Sequence, residues 1–240
     1  MTTIGTVQTI ARYPVKSMRG EELASSPVGF QGIPGDRAFA FVQEGLHTSF
    51  PWLTGRQHQG LFECQPLWET ADGKPRLLVH TAGRPSAQAL PIESDELRAA
   101  LEQAAGMRLR LHSDYRGSQD VAYLSLIFGS TIRALAEAGG VTPDHRRFRM
   151  NLVVENESPP FSEQELVGRT LRIGDALVAV THQDKRCVMI TFDPETGQGT
   201  PAVLKAAGQL NEACAGVYAS ILRVGTVSVG DAVEVLASAD

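Results

Sequence analysis

Residues 169–180 read RTLRIGDALVAV, and residues 225–236 read GTVSVGDAVEVL. In both, apolar and polar residues alternate around a Gly-Asp pair, which is the period of a half-buried strand. Gly-Asp is an acceptable two-residue turn, so each stretch reads as a β-hairpin. Further short strands surround them: NLVVE from Asn151, CVMITF from Cys187 and YASILRV from Tyr218. Two hairpins among many short strands predict a β-barrel. Two copies are too few for a repeat architecture.

Working outward, residues 4–12, 37–42, 77–81 and 107–112 also alternate or carry β-rich runs, and are read as strands. DELRAALEQAA (95–105) reads as a helix with acids in its first turn and Gly106 as its stop. SLIFGSTIRALAEAGG (125–140) reads as a second helix ending at Gly139, with Leu126, Ile132 and Leu135 inward. TPAVLKAAGQL is a third. HTSFPWLTGRQHQGL (47–61) is read as a surface loop, and ENESPPFSEQE (155–165) as a solvated acidic loop with a helical turn. The fold class is therefore mainly β with a few helices, an α+β chain. A boundary in the 83–120 region separates a smaller β-barrel-like part, residues 1–110, from a larger β-barrel, residues 111–240. Strand exchange between the two is compatible with this division.

The chain has 240 residues, 42% hydrophobic and 20% charged, an ordinary composition for a packed core. MTTIGTVQTI has no basic n-region ahead of an apolar h-region, and no apolar run approaches a membrane helix. Cys64, Cys187 and Cys214 are odd in number and widely spaced, which argues against a disulfide framework and for a reducing, cytoplasmic setting. No CxxC or ferredoxin-type run is present, so no internal iron–sulfur cluster is expected. The net charge of −5 disfavours nucleic acid as a partner. Yet cations are concentrated in YPVKSMRG, HRRFRMN and QDKRC. An acidic chain that gathers positive charge this way suits a small anion.

A thiolate is both a nucleophile and a soft metal ligand, and neighbouring cations favour it. Cys187 follows Lys185 and Arg186, whereas Cys64 and Cys214 have no comparable surroundings. On local spacing alone, an inert core thiol stays the commoner outcome. Lys16 and Ser17 leave a strand at a proline-limited turn, where an ammonium, a hydroxyl and backbone N–H groups can meet a phosphate. Arg37 and Arg149 stand at strand starts, where guanidinium forks can grip oxyanions.

In order along the chain, YPVKSMRG, PGDRAFAFV, LTGRQHQGL, RFRMNLVV, RCVMITFDPETG and GTVSVGDAV resemble the motifs of the MOSC family, the domain shared with molybdenum cofactor sulfurases. The resemblance covers nearly the whole chain and is nearest to the amidoxime-reducing branch. It implies a molybdenum–pyranopterin cofactor with Cys187 as the protein's metal ligand. Lys16, Ser17, Arg37 and Arg149 would hold phosphate and pterin, Asn151 would orient groups beside them, and Arg186 would add charge near the anionic cofactor. The implied chemistry is oxygen abstraction from a small N-hydroxylated substrate. Its electrons would come from a separate ferredoxin-, flavodoxin- or cytochrome-type protein. A second reading makes Cys187 the persulfide of a cofactor or sulfur carrier, and a third makes it an inert thiol in a structural relic.

The chain departs from the family pattern at several positions. Met150 stands where proline is usual, and Met18 where cysteine is frequent. After the central Asp120, Val121 and Ala122 stand where small hydroxyls are usual, with Ser130 or Thr131 as substitutes.

Overall fold

The structure, a computed structural model, describes residues 1–72, 74–81, 88–114, 116–119 and 121–237. Asp120 and residues 83–87 and 115 of the expected boundary region lie outside them. In chain order the strands and α-helices are β1 (Thr2–Arg12), β2 (Glu21–Leu23), β3 (Ser25–Val28), β4 (Phe39–Gln43), β5 (Gln65–Ala71), β6 (Lys74–His80), β7 (Leu90–Pro91), α1 (Asp95–Ala105), β8 (Leu109–Ser113), β9 (Leu124–Phe128), α2 (Gly129–Gly139), β10 (Leu152–Glu155), β11 (Thr170–Ile173), β12 (Ala176–Lys185), α3 (Pro201–Asn211), β13 (Cys214–Arg223), β14 (Gly225–Ser228) and β15 (Ala232–Val235).

The largest sheet runs β10-β9-β13-β12-β11-β15-β1-β2, and β1 also pairs with β10. That extra pairing closes seven of the eight strands into a barrel, with β2 outside the ring. Closure removes the edges that an open sheet would expose. The N-terminal strand β1 is inserted between β15 and β10, both from the C-terminal half. Its register slips by one residue against each neighbour, which bends it around the ring. Val7 and Ile10 of β1 pack inside with Leu126, Leu152, Val178, Val217 and Val233. The β4–β8 pair, the β5-β6-β7 sheet and α1 surround a second core around Val15, Met18, Phe41, Leu53 and Leu97. Helices α2 and α3 cover a third, where Ile132, Leu135 and Val203 meet Phe148, Met150 and Ile190. Among the described residues no helix is long and apolar enough to cross a membrane.

Three expectations are corrected. The first residues of the second helix are not helical. Leu124–Phe128 form β9, parallel to β10 and antiparallel to β13, and all five residues are buried. A strand buried on both faces loses its alternation and then reads as readily as a buried helix. The second correction concerns the hairpins. Ile173 pairs with Ala176 across Gly174-Asp175, so the first one forms. In the second, β14 and β15 do not pair; β14 joins β3, while β15 lies between β11 and β1. The turn itself survives, with the Asp231 carboxylate accepting the Ser228 N–H at 2.7 Å. Turn chemistry is local, and the choice of strand partner is not. Third, CVMITF is not a strand. β12 ends at Lys185, and Val188–Thr191 form a 3-10 turn with Cys187 just before it.

Two loops are more deeply engaged than their polarity suggests. In residues 47–61, Leu53, Thr54 and Leu61 are buried. In the acidic loop, Ser162–Leu166 form the expected helical turn, but Glu163 is fully buried. β5 lacks a clear apolar alternation and has Pro66 near its start, so nothing local in the sequence marks it as a strand.

Candidate functional site

The crossover loops of the barrel and of the N-terminal half meet at one cavity of about 470 Å³, within the usual range for small-ligand sites. Lys16, Ser17, Arg37, Arg149, Asn151, Arg186 and Cys187 all line it. So do Arg56, Arg147, Lys185 and Asp184. Seven cationic side chains (Lys16, Arg37, Arg56, Arg147, Arg149, Lys185 and Arg186) thus face one carboxylate in a chain whose net charge is −5. Charge of one sign in a walled cleft focuses the field and draws anions to it.

Three of the anchors have unusual backbones. Ser17 (φ 67°), Arg37 (φ 50°) and Arg149 (φ 55°) are all left-handed, a region that non-glycine residues enter rarely and at a cost. The surrounding contacts show what holds them there. The Arg37 N–H donates to the Tyr13 carbonyl at 2.7 Å, and its guanidinium reaches the Arg149 carbonyl at 2.6 Å. The Arg149 guanidinium in turn donates to the Met18 carbonyl at 2.7 Å. Both guanidiniums stack on Tyr13, 4.6 and 4.4 Å from the ring centre. Lys16, almost buried, donates through Nζ to the Ser118 carbonyl at 2.6 Å.

Asp36 ties these pieces together. Its fully buried carboxylate accepts the Tyr13 N–H at 2.8 Å and the Asn151 side-chain amide at 3.1 Å, and it pairs with Arg37. Asn151 also donates to the Ala11 carbonyl, while its own oxygen accepts from the Ser125 N–H and hydroxyl. Asn151 thus joins β1, β9 and the Asp36 loop.

Cys187 stands half-buried at the cavity wall, in extended conformation. The Arg56 guanidinium lies 3.0 Å from its sulfur, across 131 residues of sequence. Arg186, the neighbour in sequence, turns instead to Asp184 at 2.7 Å and to the Phe148 carbonyl at 3.1 Å. Among the described residues its Nε has no hydrogen-bond partner, nor has the Oε1 of Gln119, which also lines the cavity. The other thiols differ. Burial pushes Cys64 up to about 12, and burial also raises Cys214. Neither lines the cavity. Tyr218 is likewise pushed up, by burial first and then by the Asp184 carboxylate, so a neutral phenol faces the cavity.

Sequence reasoning missed Asp36, Arg56, Asp184 and Tyr218, and had Arg147 only as one of the cations of HRRFRMN. Asp36 precedes Arg37 in PGDRAFAFV and Arg56 sits in LTGRQHQGL, so the motifs were visible although these roles were not. Met150 leaves both flanking side chains in the lining, and its own sulfur lies 2.9 Å from Arg186. Val121 and Ala122 do line the cavity. Ser130 and Thr131 do not substitute for them. Their hydroxyls are engaged with Asn156 and Glu163, outside the cavity. His182 stacks on Tyr218, 5.2 Å between rings.

Comparison with known proteins supplies an independent view. The family model for the MOSC domain matches residues 114–234, and that for the MOSC N-terminal beta barrel domain matches residues 4–125. A molybdenum cofactor sulfurase of Drosophila mojavensis is 26% identical over 233 residues, covering 84% of this chain and 30% of that protein. The chain therefore spans about a third of the length of that relative. Among solved structures, the YUAD protein from Bacillus subtilis superposes with a TM-score of 0.52 at 13% identity, covering 96% of this chain and 94% of the other. At that identity the likeness is one of fold.

Proposed function

The chain belongs to the MOSC domain family, with that family's N-terminal β-barrel domain ahead of the MOSC domain, and on that premise we propose that its cavity holds a molybdenum–pyranopterin cofactor and reduces small N-hydroxylated compounds. The observation that carries the reading is the cavity's charge. Seven cations and one carboxylate surround a single half-buried thiol. A phosphate-bearing ligand suits the cations, and a soft metal suits the sulfur. Among the described residues no cluster of three or more His, Cys, Asp or Glu is placed to hold a metal. A metal at Cys187 would therefore need most of its donors from the ligand it arrives with.

When bound, the cofactor supplies the two-electron chemistry that takes oxygen from nitrogen and releases water. This chain's residues do the rest. Lys16, Ser17, Arg37 and Arg149 hold the anionic end, and Asp36 with Asn151 keeps Arg37 in place. Cys187 donates the soft sulfur, with Arg56 against it to balance thiolate charge. Arg186 is oriented by Asp184. The Tyr218 hydroxyl, kept neutral by burial, is a hydrogen-bonding group at the cavity. Electrons come from a separate donor protein. The test is expression in a host that makes the cofactor, followed by assay of molybdenum and pterin together. Wild type is expected to retain both, and Cys187→Ala to lose most of the metal. Equal metal in the two would sink the reading.

A second reading, persulfide transfer by Cys187, has the similarity to a molybdenum cofactor sulfurase in its favour. The Arg56 contact would steady an anionic persulfide as well as a metal thiolate. Mass spectrometry showing added sulfur on Cys187, in protein without molybdenum, selects that reading.

A further inference from the structure

Behind the wall of the main cavity lies a smaller chamber of about 140 Å³. Arg147, Arg149 and Met189 line both spaces, so these side chains form the partition. The remaining charged lining of the chamber is Arg19, Arg146 and Glu195. Four guanidiniums therefore face one carboxylate. Glu195, half exposed on the turn that follows Cys187, pairs with Arg19 at 3.0 Å and also with Arg146. Arg146 has a second partner in Asp144, and Arg147 has one in Asp193, but neither of these acids lines the chamber.

Two buried donors are left over. Among the described residues the Tyr13 hydroxyl and Arg147 Nε have no hydrogen-bond partner, although their residues are only 2% and 7% exposed. Both residues line the chamber. Burial raises the Tyr13 phenol, so its proton is retained. Unpaired buried donors are rare because they give up water for nothing in return. The room is several times what one ordered water needs.

The geometry points to a second binding site here, for a small phosphate-class oxyanion, with Glu195 as an internal carboxylate that competes for Arg19 and Arg146. An oxyanion would accept from both orphaned donors and would complement the excess of guanidinium. The site shares Arg147 and Arg149 with the main cavity, but Tyr13, Arg19, Arg146 and Glu195 line the chamber alone. A chain that retained no molybdenum would still have it.

Calorimetric titration of the full chain with inorganic phosphate tests the site. Phosphate binding is expected to persist in Lys16→Gln, which weakens the main cavity alone. It should tighten by about three- to tenfold in Glu195→Gln, the scale of one nearby charge, and weaken in Tyr13→Phe. Glu195 is half exposed, so its variant should fold normally and decides the matter should Tyr13→Phe not fold. Loss of all binding in Lys16→Gln, or no tightening in Glu195→Gln, overturns the proposal. A parallel titration with phenyl phosphate separates two sources. Tightening with both ligands marks a phosphate ester, and tightening with inorganic phosphate alone marks the free ion.

Discussion

Asp36 and Glu163 are both buried carboxylates, and they are buried differently. Asp36 has the Arg37 guanidinium against it and two neutral donors beside it. Glu163 accepts instead from the Thr131 hydroxyl at 2.8 Å and the Gly216 N–H at 3.0 Å. No ion pair involves it among the described residues. Burial pushes the Glu163 carboxyl up, and its hydrogen bonds only partly oppose that. Asp36 orients a guanidinium that lines the cavity. Glu163 is a joint that fastens α2, the acidic loop and β13. The site pairs its acid with a cation where the scaffold's acid meets only neutral donors.

The sharpest way to break the comparison is to remove the charge at Asp36. Asp36→Asn leaves the Arg37 guanidinium buried without its counterion, and turns an amide toward Arg37 and Asn151. The expected loss is about 3–5 kcal/mol of stability, read from denaturant unfolding, together with loss of anion binding in the cavity. A variant with unchanged stability would show that Arg37 finds water instead.

The matching change at Glu163 should act in a pH-dependent manner. The folded carboxyl titrates above its ordinary value of 4.5, so the folded state holds the proton more tightly than the unfolded one. Its contribution is fully present below that value and is lost as pH rises through the higher folded one. Glu163→Gln removes this dependence. The variant should therefore gain on wild type as pH rises from about 4.5 toward neutrality. Denaturant midpoints measured across that range check it, and a gap that shrinks with pH would refute the assignment.

The smallest effect concerns backbone strain. Ser17→Gly relieves a left-handed residue, and should gain about 0.5–1 kcal/mol in thermal or chemical unfolding. It also removes a hydroxyl from the cavity and should weaken anion binding there. Stability and binding moving in opposite directions would show that the left-handed backbone serves the site rather than the fold.

Much of the candidate site was legible. Lys16, Ser17, Arg37, Arg149, Asn151, Arg186 and Cys187, the residues that the motifs offered for a ligand, all line the main cavity. The cations in those motifs stood out in an acidic chain, and loops that gather one sign of charge tend to do so around a ligand. What stayed hidden were the partners. Lys185 and Arg186 looked like the cations for Cys187, yet the guanidinium on its sulfur is that of Arg56, 131 residues away. Spacing along a strand predicts which way a side chain points only while the strand continues, and β12 ends at Lys185.

The sequence by itself determined what needs only near neighbours. It set α1 with its acidic first turn and the left-handed Gly106, the Gly174-Asp175 turn, and the alternation that makes β1 and β11 half-buried strands. The tertiary structure decided which strands pair, so that one Gly-Asp turn closes a hairpin and the other joins strands in different sheets. It also made β9 a strand, buried Glu163 inside an acidic loop, and set Arg56 on Cys187. The reason is physical. Turn and cap chemistry is settled within about four residues, whereas ring closure, burial and counterion choice depend on segments more than a hundred residues apart.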